Sequence, residues 1–303
     1  MSLIEDILSA SAKRLAERQR EVPLSEMKRR AGDAPRASIG FHEILEASPF
    51  SIIAEVKAKS PSSGAMDQAN IRAALDTYDA TTSVSAVSIL TDEDYFGGSI
   101  EHLRAARQRT KKPLLRKDFV VDEYQVWEAR ACGADAVLLM TDLYRDEPAR
   151  LARVFDLVRS LGMEALFELG MKTVGNPSDI VPKEARIWGI NSRRFHTTKL
   201  QVRSTIGRLF GTELSIDSDA HRALRPLIPE GKLAVAESGI HDRADLGRLR
   251  GMGYRAALIG TAFLKTGASV SSVVRSFDEE VRRMTVAAEH HEVFAGVARA
   301  RTA

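Results

Sequence analysis

The stretch Leu114-Leu115-Arg116-Lys117-Asp118 joins a short apolar run directly to three charged residues. Five further apolar runs end in the same way, at Glu55-Val56-Lys57, Glu168, Asn191-Ser192-Arg193, Glu237-Ser238-Gly239 and Gly260-Thr261. Short, continuous apolar runs are typical of buried parallel strands. In a barrel of such strands, active-site residues lie at the C-terminal strand ends. The pattern therefore predicts one active site assembled from six strand ends.

Eight apolar runs alternate with segments of helical periodicity. The predicted strands span 51–56, 86–90, 114–117, 136–140, 164–168, 187–190, 233–236 and 256–259. The helices predicted between them include 69–80, 99–109, 122–131 and 146–161. This alternation predicts the α/β class, as a (β/α)8 TIM barrel with an N-terminal helical extension. An open doubly wound sheet is the alternative, because strand count alone does not separate the two.

The barrel is predicted to occupy residues 49–282. Apolar residues at helical spacing predict a first helix over 2–22, in an N-terminal extension over 1–48 that packs on the barrel. Residues 197–219 are polar and lack periodicity, which predicts an insertion at the catalytic face. Residues 283–303 are predicted to form a C-terminal tail.

Composition limits the class of protein. A single barrel takes about 250 residues, so a chain of 303 residues holds one and not two. The net charge is only +3 and both signs are interspersed, so the pI near 9.0 is weak support for nucleic acid. Cys132 is the only cysteine, which excludes an internal disulfide. We see no signal peptide and no apolar run of about 20 residues, and we expect a cytoplasmic protein.

Charged residues at two strand ends are candidates for proton transfer. Glu55 and Lys57 are two residues apart on a strand, so both point to one side. Lys117 follows a predicted central strand, where burial is expected to lower its pKa and Asp118 to orient it. The alternatives are a surface ion pair for the first two residues and a solvated cation for Lys117.

The last two strand ends suggest an anion site. Ser238-Gly239 and Gly260-Thr261 follow the seventh and eighth predicted strands, whose loops bind phosphate in many barrels. Glycine lets backbone N–H groups approach an anion closely. Tight turns without a ligand are the alternative, but the two motifs together favour phosphate.

These motifs resemble those of the indole-3-glycerol phosphate synthase family, in the family's order and over roughly residues 1–275. The resemblance rests on the following stretches: 53–57 with Ser60-Pro61-Ser62, 88–92, 96–99, 115–122 with Tyr124-Gln125, 133–139, 189–193, 237–240 and 258–261. It implies a barrel without a metal or an organic cofactor. The implied substrate is 1-(2-carboxyphenylamino)-1-deoxyribulose 5-phosphate, which undergoes ring closure, decarboxylation and dehydration to indole-3-glycerol phosphate. We therefore expect a phosphorylated small molecule as partner, neither nucleic acid nor membrane, and a monomer or weak homo-oligomer.

The resemblance also implies roles for catalytic residues. Lys117 resembles the general acid that acts on the substrate carbonyl, and Glu168 resembles the carboxylate of the dehydration step. Lys57 resembles the lysine near the substrate carboxylate. Glu55 and Asn191 resemble polar groups that position these charges and the sugar hydroxyls.

Binding residues are implied in the same way. Those expected to bind the substrate or its phosphate are Ser60, Arg193, Glu237, Ser238, Gly239, Gly260 and Thr261. Those expected to form the apolar pocket for the anthranilate ring are Phe96, Phe119 and Leu138. The chain departs from the family at Arg194, where an acidic residue or asparagine is usual.

Three other interpretations remain open at this point. The related phosphoribosylanthranilate isomerases would call for a cysteine at the end of the first strand, where Glu55-Val56-Lys57 stands. A nucleic-acid-binding protein is suggested by Arg243, Arg248 and Arg250, although a solvated helix face explains them better. A catalytically inactive barrel that serves as a binding module is the third.

Overall fold

A computed structural model of the chain describes residues 3–61, 63–170, 176–195, 214–216, 219–265 and 267–300. Eight parallel strands form a closed barrel in which each strand pairs with its neighbours along the chain and the first pairs with the last. These strands are β1 Ser51–Val56, β2 Val84–Leu90, β3 Leu114–Lys117, β4 Ala136–Met140, β5 Glu164–Leu169, β6 Ile187–Asn191, β7 Leu233–Glu237 and β8 Ala256–Ile259. The predicted barrel is confirmed, and its closure excludes the open sheet.

Helices cover the outside of the barrel and both of its ends. They are α1 Leu3–Glu21, α2 Leu24–Asp33, α3 Phe41–Glu46, α4 Gln68–Ala80, α5 Ile100–Arg109, α6 Glu123–Ala131, α7 Pro148–Ser160, α8 Ala220–Leu224, α9 Ala244–Gly251, α10 Thr261–Leu264 and α11 Val270–Ala300. Two short antiparallel pairs join Lys59–Ser60 to Gly64–Ala65 and Arg193–Phe195 to Leu214–Ile216.

Side-chain caps fix where the first outer helices begin. The Asp67 carboxylate accepts hydrogen bonds from two backbone N–H groups at the start of α4, and Ser99 caps α5. Asp122 and Gln125 form a reciprocal capping box at the start of α6. Each cap satisfies donors that a helix N-terminus otherwise leaves without a partner. The caps therefore set the residue at which each of these helices begins after its loop.

The N-terminal helix α1 lies on the loops that follow β2 and β3. Arg18 pairs with Glu128 of α6 at 2.7 Å, and Ser11 donates a hydrogen bond to Asp92. Ile7 is fully buried in the same apolar cluster as Phe96 and Phe119. The extension thus forms part of the wall at the C-terminal mouth of the barrel.

Helix α3 closes the opposite mouth. Phe41 and Leu45 are buried in one cluster with Ile187 and Leu233, the first residues of β6 and β7. Ser51, the first residue of β1, donates a hydrogen bond to the Leu45 carbonyl oxygen. Apolar side chains of α3 therefore fill this mouth of the barrel.

Two predicted boundaries concern the second half of the chain. Of the predicted insertion over 197–219, only 214–216 and 219 lie within the described residues, and the strand 214–216 pairs with Arg193–Phe195. Helix α11 continues through the predicted start of the tail at 283, and Met284 is buried against the barrel. The division into barrel and tail therefore falls inside one helix.

The arginines that suggested nucleic acid have protein partners. Arg243 pairs with Glu279 at 3.6 Å, and Arg248 pairs with Asp245. Arg250 donates a hydrogen bond to the Met284 carbonyl oxygen. Within the described ranges, no helix combines the length and the apolar character needed to cross a membrane.

The packing of α3 against the strand starts leads to a stability prediction. Phe41→Ala removes a ring that is 1% exposed, and such core truncations cost about 3–5 kcal/mol of unfolding free energy. Ile39→Ala is the matched control, because Ile39 lies two residues away and is 49% exposed. Urea denaturation measures both losses, and equal losses would show that Phe41 does not close the core.

Candidate active site

A cavity of about 530 Å³ lies at the C-terminal mouth of the barrel, and all eight strands contribute to its wall. The predicted site residues all line it except Ser60. Ser60 is buried beside the cavity and accepts a hydrogen bond from Arg193 at 3.3 Å. The expectation that strand ends assemble one site is thus met by the geometry.

Lys117 lies between two carboxylates from strands on the other side of the barrel. Its Nζ atom is 3.1 Å from Glu168 Oε2 on β5 and 2.9 Å from Glu237 Oε2 on β7. Both glutamates are almost completely buried. The ammonium group therefore faces the cavity from a fixed position.

The pKa of Lys117 differs from the sequence-based expectation. Burial acts to lower this pKa, but attraction by Glu168, Glu237 and Glu55 outweighs it, so the pKa is raised. The expectation of a lowered pKa is wrong because the sequence does not show that three carboxylates converge on one lysine. Lys117 is consequently protonated at neutral pH, which suits a proton donor.

The pKa of Glu237 is also raised, but in this case burial is the main cause. Burial raises its pKa and the negative charge of Glu168 adds to this effect, while Lys117 acts in the opposite direction. The net result is a pKa raised from the ordinary 4.5 to about 8. Two carboxylates and one lysine in a buried space therefore hold a proton that a solvated glutamate would release.

Asp118 does not orient Lys117, contrary to the sequence-based expectation. Its Oδ2 atom accepts hydrogen bonds from Arg116 at 2.8 Å and from the Thr91 hydroxyl at 2.7 Å. Arg116 is 1% exposed and also pairs with Glu128 of α6. Neighbouring residues of a strand point to opposite faces, so Arg116 lies under α6 while Lys117 enters the cavity.

Glu55 and Lys57 form a buried ion pair on the same side of β1, as their spacing predicts. Lys57 Nζ lies 2.5 Å from Glu55 Oε1. Burial lowers the pKa of Lys57, and the nearby Arg193 contributes to the same effect. Burial also lowers the pKa of Arg193, whose Nε atom has no hydrogen-bond partner among the described residues. The wall near β1 and β6 is therefore cationic and suited to a carboxylate or phosphate.

Two glycines make room for the glutamates. A Cβ atom at Gly189 would lie 2.1 Å from Glu237 Oε1, and one at Gly260 would lie 2.3 Å from Glu55 Oε1. Such distances are far inside van der Waals contact. Gly260 is therefore needed beside Glu55 whether or not it also binds an anion.

The turn after β7 has an unusual backbone. Ser238 has φ of +63°, the only positive value for a non-glycine among the described residues, and Gly239 follows with φ of +68°. In the described part of the chain, the N–H groups of Gly239, Ile240, Thr261 and Ala262 form no backbone hydrogen bond. Successive N–H groups of this kind create a concave site for an anion.

The predicted apolar pocket is present on the side of β2 to β4. The rings of Phe96 and Phe119 are 6.3 Å apart between centroids, and Leu138 belongs to the same buried cluster. Asn191 lies on the opposite side, where its Oδ1 atom accepts a hydrogen bond from the Arg193 N–H. An aromatic ring and a polar chain can therefore be held at different sides of the cavity.

Several lining residues were missed by the sequence interpretation. They include Leu90, Met140, Leu258, Ile240, His241 and Lys265. Leu90, Met140 and Leu258 lie at or near strand ends, so the rule that selected the charged residues would have found them. Lys265 follows Thr261 by one helical turn, which is a weaker signal.

Solved structures support the architecture. The chain is similar to 3-hexulose-6-phosphate synthase from Salmonella typhimurium, with a TM-score of 0.54, 10% identity, and coverage of 77% of this chain and 99% of that one. It is also similar to N-(5'-phosphoribosyl)anthranilate isomerase from Pyrococcus furiosus, with a TM-score of 0.52, 10% identity, and coverage of 77% and 99%. Identities this low show the fold alone.

Sequence relatives define the family. The family model for indole-3-glycerol phosphate synthase matches residues 4–277. The indole-3-glycerol phosphate synthase of a Parafrankia species is 38% identical over 267 residues, covering 88% of this chain and 92% of the relative. That of a Nocardioides species is 36% identical over 277 residues, covering 91% and 98%. The chain belongs to the indole-3-glycerol phosphate synthase family.

Proposed function

We propose that the cavity at the C-terminal mouth is where this carboxy-lyase of tryptophan biosynthesis forms indole-3-glycerol phosphate, with Lys117 as the general acid. The observation that carries the assignment is the Lys117 ammonium, held at 3.1 and 2.9 Å from two buried carboxylates and exposed to the cavity. Phe96, Phe119 and Leu138 provide an apolar side for the anthranilate ring. The turn at Ser238 and Gly239, with Gly260 and Thr261, provides N–H groups for the phosphate.

Ring closure needs a proton donor at the substrate carbonyl. When the ring carbon that bears the carboxylate attacks the carbonyl carbon, negative charge develops on the carbonyl oxygen. Lys117 donates its proton there, because its raised pKa keeps it charged until the oxygen becomes more basic. Glu168 and Glu237 hold the ammonium in place before and after the transfer.

Decarboxylation needs a cation that orients the carboxylate without neutralising it by proton transfer. Lys57 and Arg193 supply positive charge on the wall near β1 and β6, and Glu55 holds Lys57 at 2.5 Å. As the bond to carbon dioxide breaks, its electron pair returns to the ring. Lys57 then no longer faces a carboxylate of the substrate and pairs with Glu55 alone.

Dehydration needs a proton for the leaving hydroxyl group and a base for the proton that the ring loses. Glu168 is the carboxylate assigned to this step by the family motif. Glu237 contributes beside it, because burial keeps a proton on its carboxyl group near neutral pH. The two carboxyl groups and Lys117 therefore form one proton-exchanging unit.

Replacing Lys117 tests its role as the proton donor. Lys117→Met keeps much of the side-chain volume and removes the proton donor, so kcat should fall by about 10²–10⁴-fold. The variant should also lose stability, because Glu168 and Glu237 are left buried without their cation. Turnover is measured by the fluorescence of the indole product at a temperature where circular dichroism shows a folded protein.

Lys59→Met is the control for that variant. Lys59 is exposed and donates to the Asp94 carbonyl oxygen at 2.7 Å, so its loss should affect turnover much less. If Lys59→Met loses more turnover than Lys117→Met, the wrong lysine has been assigned.

The phosphate assignment is tested at Gly239 and not at Gly260, because a side chain at Gly260 also displaces Glu55. Gly239→Ala strains a residue with φ of +68° and should raise KM strongly while weakening inhibition by inorganic phosphate. Gly231→Ala is the matched control, since Gly231 has φ of +77° in the turn before β7, at the far end of the strand. Both variants should lose about 1–2 kcal/mol of stability. Unchanged phosphate inhibition in Gly239→Ala would refute the assignment.

The raised pKa of Glu237 predicts how stability changes with pH. Between pH 4.5 and about 8, the folded chain holds the Glu237 proton while the unfolded chain has released it. The free energy of unfolding of the wild type therefore decreases as the pH rises through that range, because the stabilisation from the retained proton is lost. Glu237→Gln carries no such proton, so its free energy of unfolding should gain on that of the wild type with rising pH. Urea denaturation at several pH values measures the free energy of unfolding of the variant minus that of the wild type. This signed difference should increase from pH 4.5 to about 8, and a decrease contradicts the assignment.

A further inference from the structure

His221 is a buried titratable residue that the proposed chemistry does not use. It lies in α8, which begins at Ala220 and leads back towards the barrel before β7. Its side chain is 7% exposed and is not part of the cavity wall. Its Nε2 atom lies 3.1 Å from the backbone carbonyl oxygen of Glu237.

The direction of this hydrogen bond fixes the state of the ring. A carbonyl oxygen can only accept, so Nε2 carries the hydrogen. Burial lowers the pKa of His221, although the carbonyl oxygens of Glu237 and Ile190 act to raise it. The ring is therefore neutral at neutral pH and uses its one N–H group on Glu237.

His221 is itself held in place by Tyr254. Tyr254 packs edge-on against the imidazole with centroids 5.6 Å apart, and its hydroxyl donates to the His221 carbonyl oxygen at 2.8 Å. Arg225 lies over the Tyr254 ring and donates to the Gly253 carbonyl oxygen. This support leaves the imidazole little freedom to leave Glu237.

Glu237 needs such support because its carboxylate has few bonds of its own. One oxygen, Oε2, contacts Lys117, while Oε1 is buried with no hydrogen-bond partner among the described residues. The next two residues, Ser238 and Gly239, both have positive φ, so a strained turn follows directly. The orientation of the carboxylate therefore depends on where the backbone of Glu237 is held.

We propose that His221 is a positioning residue that anchors the end of β7, so that Glu237 stays within hydrogen-bond distance of Lys117. The Glu237 carbonyl oxygen receives one bond from the Ser192 N–H at 3.0 Å and a second from His221. The first joins β7 to the end of β6, and the second joins it to α8. Without the hydrogen bond from His221, the end of β7 can move, because a shift would relieve the strain at Ser238. The proposal rests on the catalytic roles of Lys117 and Glu237 given above.

The test compares two substitutions at His221 with a control at the other mouth. His221→Leu removes the donor, and a displacement of the carboxylate by a fraction of an ångström should lower kcat by about 10- to 100-fold with KM nearly unchanged. His221→Gln retains an N–H donor and should recover most of kcat. Ser51→Ala removes a buried hydrogen bond to the Leu45 carbonyl oxygen and should cost stability without lowering kcat. If His221→Leu lowers kcat no more than Ser51→Ala does, or if His221→Gln gives no recovery, the proposal is overturned.

A double-mutant cycle with Lys117→Met separates positioning from general destabilisation. If His221 acts through the Lys117–Glu237 contact, adding His221→Leu to Lys117→Met should cause little further loss of kcat. Independent, multiplied losses would overturn the proposal. If Lys117→Met alone retains normal turnover, the catalytic assignment fails and the role of His221 fails with it. If Lys117→Met is inactive and His221→Leu is fully active, only the role of His221 fails.

Discussion

The contact of Lys117 with Glu168 and Glu237 is the interaction on which the active-site mouth depends. A carboxylate buried without a cation is unstable, and a lysine buried without carboxylates loses its proton. Because β3, β5 and β7 each supply one of the three groups, the groups meet only when these strands are assembled in the barrel. The proposed proton transfer and the stability of the fold consequently depend on the same three side chains.

Small residues are the second requirement of this mouth. Gly189 and Gly260 leave the volume that Glu237 and Glu55 occupy, since a methyl group at either position would overlap a carboxylate oxygen. The side chains of Glu237 and Glu55 thus extend over the neighbouring strands towards the centre of the barrel. A glycine at a strand end can therefore be required for the space that it leaves, and Gly260 is required beside Glu55 in this way.

The sequence predicted the barrel well because buried parallel strands leave continuous apolar runs. The eight predicted strands match the structure closely. Strand β2 begins two residues earlier than predicted, at Val84, because Ser85 interrupts its apolar pattern. The pairing of Glu55 with Lys57 was predictable because residues two apart share a strand face. The same rule argues against Asp118 as a partner of Lys117, since adjacent residues face opposite sides. Partners that are 51 and 120 residues away leave no local pattern, so the pKa of Lys117 and the place of His221 came only from the structure.

The pairing of the first strand with the last has a consequence for biosynthesis. Ser51 lies opposite Ala256 in the sheet, a separation of 205 residues (256 minus 51). At about 5–20 residues per second, a ribosome needs roughly 10–40 s to add the intervening chain. During that time β1 of the nascent polypeptide presents an open strand edge, the kind of surface that promotes aggregation. The enzyme is thus inactive and vulnerable throughout translation until β8 has emerged and sealed that edge.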